Sequence, residues 1–142
     1  MKKYCKYALN LGLIISFGLG VLHFFIPHIF KWYSYIPDAP RSLIVSIDWL
    51  NFFFSLLLSG FSLLLLIFQN EIRKRLRGVF EFYVLFVMLW LARAVMTYMN
   101  PWNNDFQMID KIQISSFSFI FLLLFIPMIY FWIKNSSDIK KQ

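Results

Sequence analysis

Four long apolar runs, at residues 8–30, 44–68, 79–97 and 114–133, constrain this chain more than any other feature. Each is close to the ~20 residues that a helix needs to cross ~30 Å of hydrocarbon. Backbone N–H and C=O groups find no water partner in lipid, so runs of this length must be helices. Charged residues make up 15% of the 142 residues, against about 25% in a typical soluble domain. With 60% of residues hydrophobic, the chain is not a disordered one. A soluble domain this small would leave much apolar side chain facing water. The expected fold is all-α: a single integral membrane domain, residues 1–142, built as a four-helix bundle.

The first run follows Lys2, Lys3 and Lys6, as a secretory signal would. No small-residue cleavage site comes after it and three more spans do, so a retained first helix is the better reading.

The basic residues separate by side. Lys2, Lys3, Lys6, Arg73, Lys74, Arg75, Arg77, Lys134, Lys140 and Lys141 fall on one side of the spans. Only Lys31, Arg41 and Lys111 fall on the other, and Arg93 lies inside the third span. By the positive-inside bias both termini are cytoplasmic, which gives a multi-pass inner-membrane protein, N-in and C-in. The net charge of +7 then reads as topology and contact with anionic lipid of the bilayer, not as a nucleic-acid footprint. Aromatic anchors agree: Trp32, Tyr33, Tyr35, Trp49, Tyr98 and Trp102 at the outer interface, Tyr4, Tyr7 and Trp132 at the inner one. Pro37 and Pro40 stiffen the first outer loop, and the second, from Tyr98 to Gln113, is the more polar.

Helices in lipid associate through small and polar faces, because Leu and Phe gain little by leaving lipid for protein. Gly12, Ser16, Gly20, His23 and Pro27 share one side of the first helix. Asp48, Asn51, Ser55, Ser59 and Ser62 form a stripe on the second. Arg93, Thr97 and Asn100 follow on the third, and Ser115, Ser118 and Pro127 on the fourth. Gly12, Ser16, Ser55 and Ser59 read as close-packing positions.

The ionisable residues in the spans are the candidate site. His23 stands seven residues before the end of the first run, about 10 Å from it. Asp48 and Arg93 each lie four residues from an outer end, roughly 6 Å deep. Asn51 is one turn deeper than Asp48. Pairing of Arg93 with Asp48 would offset much of the cost of a charge in the bilayer, with His23 bonded to the carboxylate or to Asn51. Two readings stay open. One is a closed ion pair that fixes helix register. The other is a pocket in which Arg93 holds an anion or carbonyl oxygen and His23 carries a proton.

Other residues read as structural. Glu81 fits a snorkelling or Arg77-paired surface acid. Cys5, between Lys3 and Lys6, reads as an interfacial or lipid-modified thiol, and a lone cysteine leaves no internal disulfide or cysteine-based metal cluster. His28 is five residues from His23, so the two project about 140° apart and suit neither one metal nor, in a single chain, one haem. No metal site is expected. The chain has no HExxH, glycine-rich phosphate loop or hydrolase triad order.

The run Gly20-Val21-Leu22-His23-Phe24-Phe25-Ile26-Pro27-His28-Ile29-Phe30, followed by Pro37 and Pro40, resembles the first span of DoxX-like membrane proteins. The resemblance extends to about Arg77. It departs from that family's second-span S-G-x-x-E pattern, where this chain has Ser46-Ile47-Asp48-Trp49-Leu50-Asn51. It implies a four-helix membrane fold and, for some members, service as a membrane subunit beside a redox enzyme. The expected function is therefore an accessory membrane subunit, more than a stand-alone enzyme. Its polar pocket of His23, Asp48, Asn51 and Arg93 would take a small ligand such as a quinone headgroup. An oxidoreductase or a second copy of the chain is the expected partner. The alternatives are a structural or assembly protein and a small transporter.

Overall fold

The computed structural model describes the backbone of residues 2–100 and 107–139, with side chains over 3–100 and 108–134. Trp102, Lys140, Lys141 and the rest of the segments 101–106 and 140–142 lie outside the described residues. The described chain is helical, with no strand. Its helices are α1 (Lys2–His23), α2 (Ile26–Ile29), α3 (Arg41–Ile67), α4 (Gln69–Arg73), α5 (Val79–Met99) and α6 (Gln107–Ile139). Four of them, α1, α3, α5 and α6, are long and apolar enough to cross a membrane. Between 28% and 33% of each span is buried in the protein. The remaining Leu, Phe, Ile and Val side chains form a surface that only lipid solvates favourably.

The first span differs from the expected residues 8–30. It starts six residues earlier and ends at His23. Pro27 explains the end: its ring collides with the carbonyl four residues back, that of His23, and it supplies no N–H. The chain leaves α1 through Phe24 and Phe25, whose amides reach back three residues, and Pro27 opens the one-turn α2. Lys31, at φ 50°, then reverses the chain into a 3-10 turn, Trp32–Tyr35. Pro40, extended at φ −55° and ψ 143°, caps α3. Gly78, at φ 82°, stands before α5 in a conformation that a Cβ would strain. α6 is longer than the fourth apolar run because Gln107 to Gln113 extend it at one end and residues 134–139 at the other.

α1 is the central helix, packed on α3 and on α6, while α5 packs mainly on α6. The α1–α3 crossing is close: a Cβ on Gly20 would stand 2.5 Å from the Ser59 amide nitrogen. On Gly12 it would meet the Leu124 side chain of α6 at 2.8 Å. Ser16, Ser55, Ser59 and Ser62 are buried along these seams. Each donates its hydroxyl to the carbonyl four residues back in its own helix. That bond satisfies the hydroxyl locally and leaves a small, effectively apolar surface, as close packing in lipid needs. α6 passes straight through the buried Pro127. Three residues before Pro127 the Leu124 carbonyl accepts the hydroxyl of the buried Tyr83 in α5. Leu9, Leu13, Tyr83, Val87, Trp90 and Leu124 are fully enclosed and form the centre of the core. Cys5 belongs to that core at 7% exposure. The interfacial thiol expected there is instead a small buried apolar side chain.

Candidate ligand-binding site

Arg93 projects from α5 into a cage of aromatic rings. Its Cζ lies 4.4 Å from the ring centre of Phe117 in α6 and 4.9 Å from that of Phe54 in α3. Trp90, almost one turn earlier in α5, is 5.8 Å away. The negative faces of the rings attract the guanidinium, and the attraction is strongest where water is excluded. Among the described residues Arg93 forms no ion pair, and its buried Nε has no hydrogen-bond partner. The cage thus holds the cation without neutralising it.

His23, the last residue of α1, reaches the same place. Its ring centre is 4.9 Å from that of Phe54, so one phenyl ring contacts both the imidazole and the guanidinium. His23 and Arg93 line a common cavity of about 340 Å³ with Thr97, Asn100, Gln113 and Phe117. Thr97 bonds back to the Arg93 carbonyl at 2.9 Å. The break at Pro27 matters here, because it ends α1 at His23 and lets Ile26, Phe30 and Trp32 fold over the cavity as another wall.

Asp48 and Asn51 stand elsewhere. They line a separate groove of about 510 Å³ with Phe24, Pro27, His28 and Trp49. Asp48 is exposed, and its carboxylate accepts the hydroxyl of Tyr33. That bond, followed by burial and the Asp48 charge, pushes the Tyr33 phenol up to about 12. Asn51 has a buried Oδ1 without a partner among the described residues. The expected ion pair between Asp48 and Arg93 is therefore not formed, and the four candidate residues divide two and two. The reason is helical phase. Phe54, the α3 residue that meets Arg93, is six positions from Asp48 and so about 120° around the helix. The polar stripe of α3 faces α1 and α2, whereas α5 touches α3 only slightly.

Sequence reasoning missed three contributions. Phe54, Phe117 and Trp90 cage the arginine, but among 18 Phe nothing marked two of them. Gln113 lines the cavity from an outer turn of α6. Asp110, 8% exposed, lies three residues before Gln113 and seven before Phe117. That 3-4 spacing was the available sign that the apolar run extends outward as a helix with one inward face. Glu81, as expected, pairs with Arg77, at 3.4 Å on an exposed surface. No group of three metal-ligating side chains occurs among the described residues. Comparison of the chain with family models, curated proteins and solved structures gives no match.

Proposed function

We propose that this protein is a membrane-embedded binding subunit whose Arg93–His23 cavity takes the oxygen-bearing headgroup of a small amphiphile. The observation that carries this reading is Arg93 itself. A cation inside a membrane-spanning helix, facing a cavity and without a carboxylate partner among the described residues, suits a ligand that brings the acceptor. Thr97, Asn100 and Gln113 add polar groups around it, and the rings suit a flat headgroup. A cavity of about 340 Å³ is at the lower end of small-ligand sites. A quinone meets these demands: its carbonyls accept bonds from Arg93 and His23, and its tail remains in lipid. The DoxX-like motif around His23 supports a redox setting, with an oxidoreductase or a second copy as partner. The asymmetry of basic residues supports an inner-membrane location with both termini cytoplasmic, which places this cavity toward the opposite face.

Saturable quenching of tryptophan fluorescence by a short-chain ubiquinone tests the proposal, since Trp32 lines the cavity. Arg93→Gln should weaken binding by at least about tenfold, the loss of one charged hydrogen bond. Absence of saturable binding, or equal binding by Arg93→Gln and His23→Ala, would sink it.

One observation favours a structural reading instead. Three rings within 5.8 Å already stabilise the Arg93 cation and join α3, α5 and α6. A clamp of this kind predicts that Arg93→Gln lowers stability while no added ligand raises it.

A further inference from the structure

At the opposite end of the spans, three separate segments bring cations to one recess of about 290 Å³. Lys3 and Lys6 come from the first turns of α1, Arg73 from the end of α4 and Lys134 from the end of the α6 span. Tyr130 and Phe131 supply a ring-lined wall, and no acidic side chain is among the described lining residues. Neighbouring basic residues are engaged elsewhere. Arg77 pairs with Glu81, and Arg75 lies against the rings of Phe80 and Trp132, 5.0 and 4.6 Å from their centres. Arg73 is held in position: its Nε donates to the Gln69 carbonyl at 3.2 Å and its Nη2 to Asn70 Oδ1. Lys3, Lys6 and Arg73 bring like charges to one recess and repel one another, and a multiply oxygenated anion relieves that repulsion.

We propose that this recess is a binding site for the phosphate headgroup of an anionic membrane lipid. Its place supports the lipid source. The recess lies between the start of the α1 span and the end of the α6 span, the level at which lipid phosphates border a span, and exposed apolar side chains such as Ile126 and Ile133 lie nearby on α6. Basic recesses between helices at this level suit such headgroups. The inference is independent of the Arg93–His23 cavity.

Native mass spectrometry of the full chain in detergent, with dioleoylphosphatidylglycerol or dioleoylphosphatidylcholine added, tests it. The anionic lipid should be retained over the zwitterionic one. Lys6→Gln with Arg73→Gln should weaken that retention roughly 30-fold, about fivefold for each cation. Lys134→Gln alone should weaken it about fivefold, which keeps the test open if the double variant does not fold. Arg77→Gln should change nothing. Equal retention of the two lipids, or an equal loss in Arg77→Gln, would overturn the site. Displacement by inorganic phosphate at concentrations near that of the lipid would assign it to free phosphate and overturn the lipid.

Discussion

Tyr33, in the turn that follows α2, donates its hydroxyl to the carboxylate of Asp48 in α3 and so ties the loop between the first two spans to the start of the second. This partner replaces Arg93, which sequence reasoning assigned to Asp48. The bond favours the neutral phenol, so its stabilising contribution has a defined pH window. Tyr33 is raised in the folded state from 10.0 to about 12. A raised acid contributes fully below its unfolded value and loses that contribution as pH climbs through the folded one. The loop tether should therefore persist to about pH 10 and fail by about pH 12. Phenolate absorbance of the wild type and of Asp48→Ala should differ by one tyrosine, Tyr33, which titrates late only in the wild type. In Asp48→Ala that tyrosine should move back toward 10.0.

Because Asp48 and Arg93 belong to different cavities, their contributions should be independent. A double-mutant cycle with Asp48→Ala and Arg93→Leu should give a coupling within about 0.5 kcal/mol of zero. A paired buried charge would instead make the double variant markedly less damaging than Arg93→Leu alone. Unfolding in mixed detergent micelles measures the difference.

Gly20 sets the approach of α1 to α3. Its added Cβ would lie 2.5 Å from one backbone atom of Ser59 and 2.8 Å from another, and backbone yields poorly. Gly20→Ala should cost about 1–3 kcal/mol, the usual range for overpacking. Gly60, with no atom within 4 Å of an added Cβ, should tolerate alanine with no loss. Thermal unfolding of the two variants side by side checks the contrast.

Cys5 is enclosed in the core, so a maleimide should label it only after unfolding. Tyr4→Cys, at a position 77% exposed, should label at once in the Cys5→Ala background. Rapid labelling of native Cys5 would place the start of α1 outside the bundle.

Tyr83 is buried, and its hydroxyl meets the Leu124 carbonyl three residues before Pro127 in α6. Tyr83→Phe removes that donor and nothing else. The expected loss is about 0.6 kcal/mol, the average for an interhelical bond in a membrane protein. Urea or detergent titration with the wild type as reference reads it.

The candidate site was legible by residue type but not by assembly. His23 and Arg93 stood out because ionisable groups in spans are costly, and they do share a cavity. Asp48 stood out for the same reason and stands apart, because charge says nothing about azimuth on an unplaced helix. The ring cage of Arg93 left no signal, since Phe54 and Phe117 look like any lipid-facing Phe until a cation is set beside them.

The amino-acid sequence by itself determined the four spans and the close-packing role of the glycine and serine stripes. Both follow from local rules: a backbone in hydrocarbon must satisfy itself, and small residues permit close contact. Pro27 shows the limit of run length as a guide: α1 ends one turn before it although the apolar run continues, whereas α6 continues through Pro127. Only the tertiary structure decided which helices are neighbours. α1 came to lie between α3 and α6, so the stripe of α3 turned toward α1 and Arg93 met Phe54 in place of Asp48. Side chains about 120° apart on one helix meet different partners, and no one-dimensional pattern specifies that rotation.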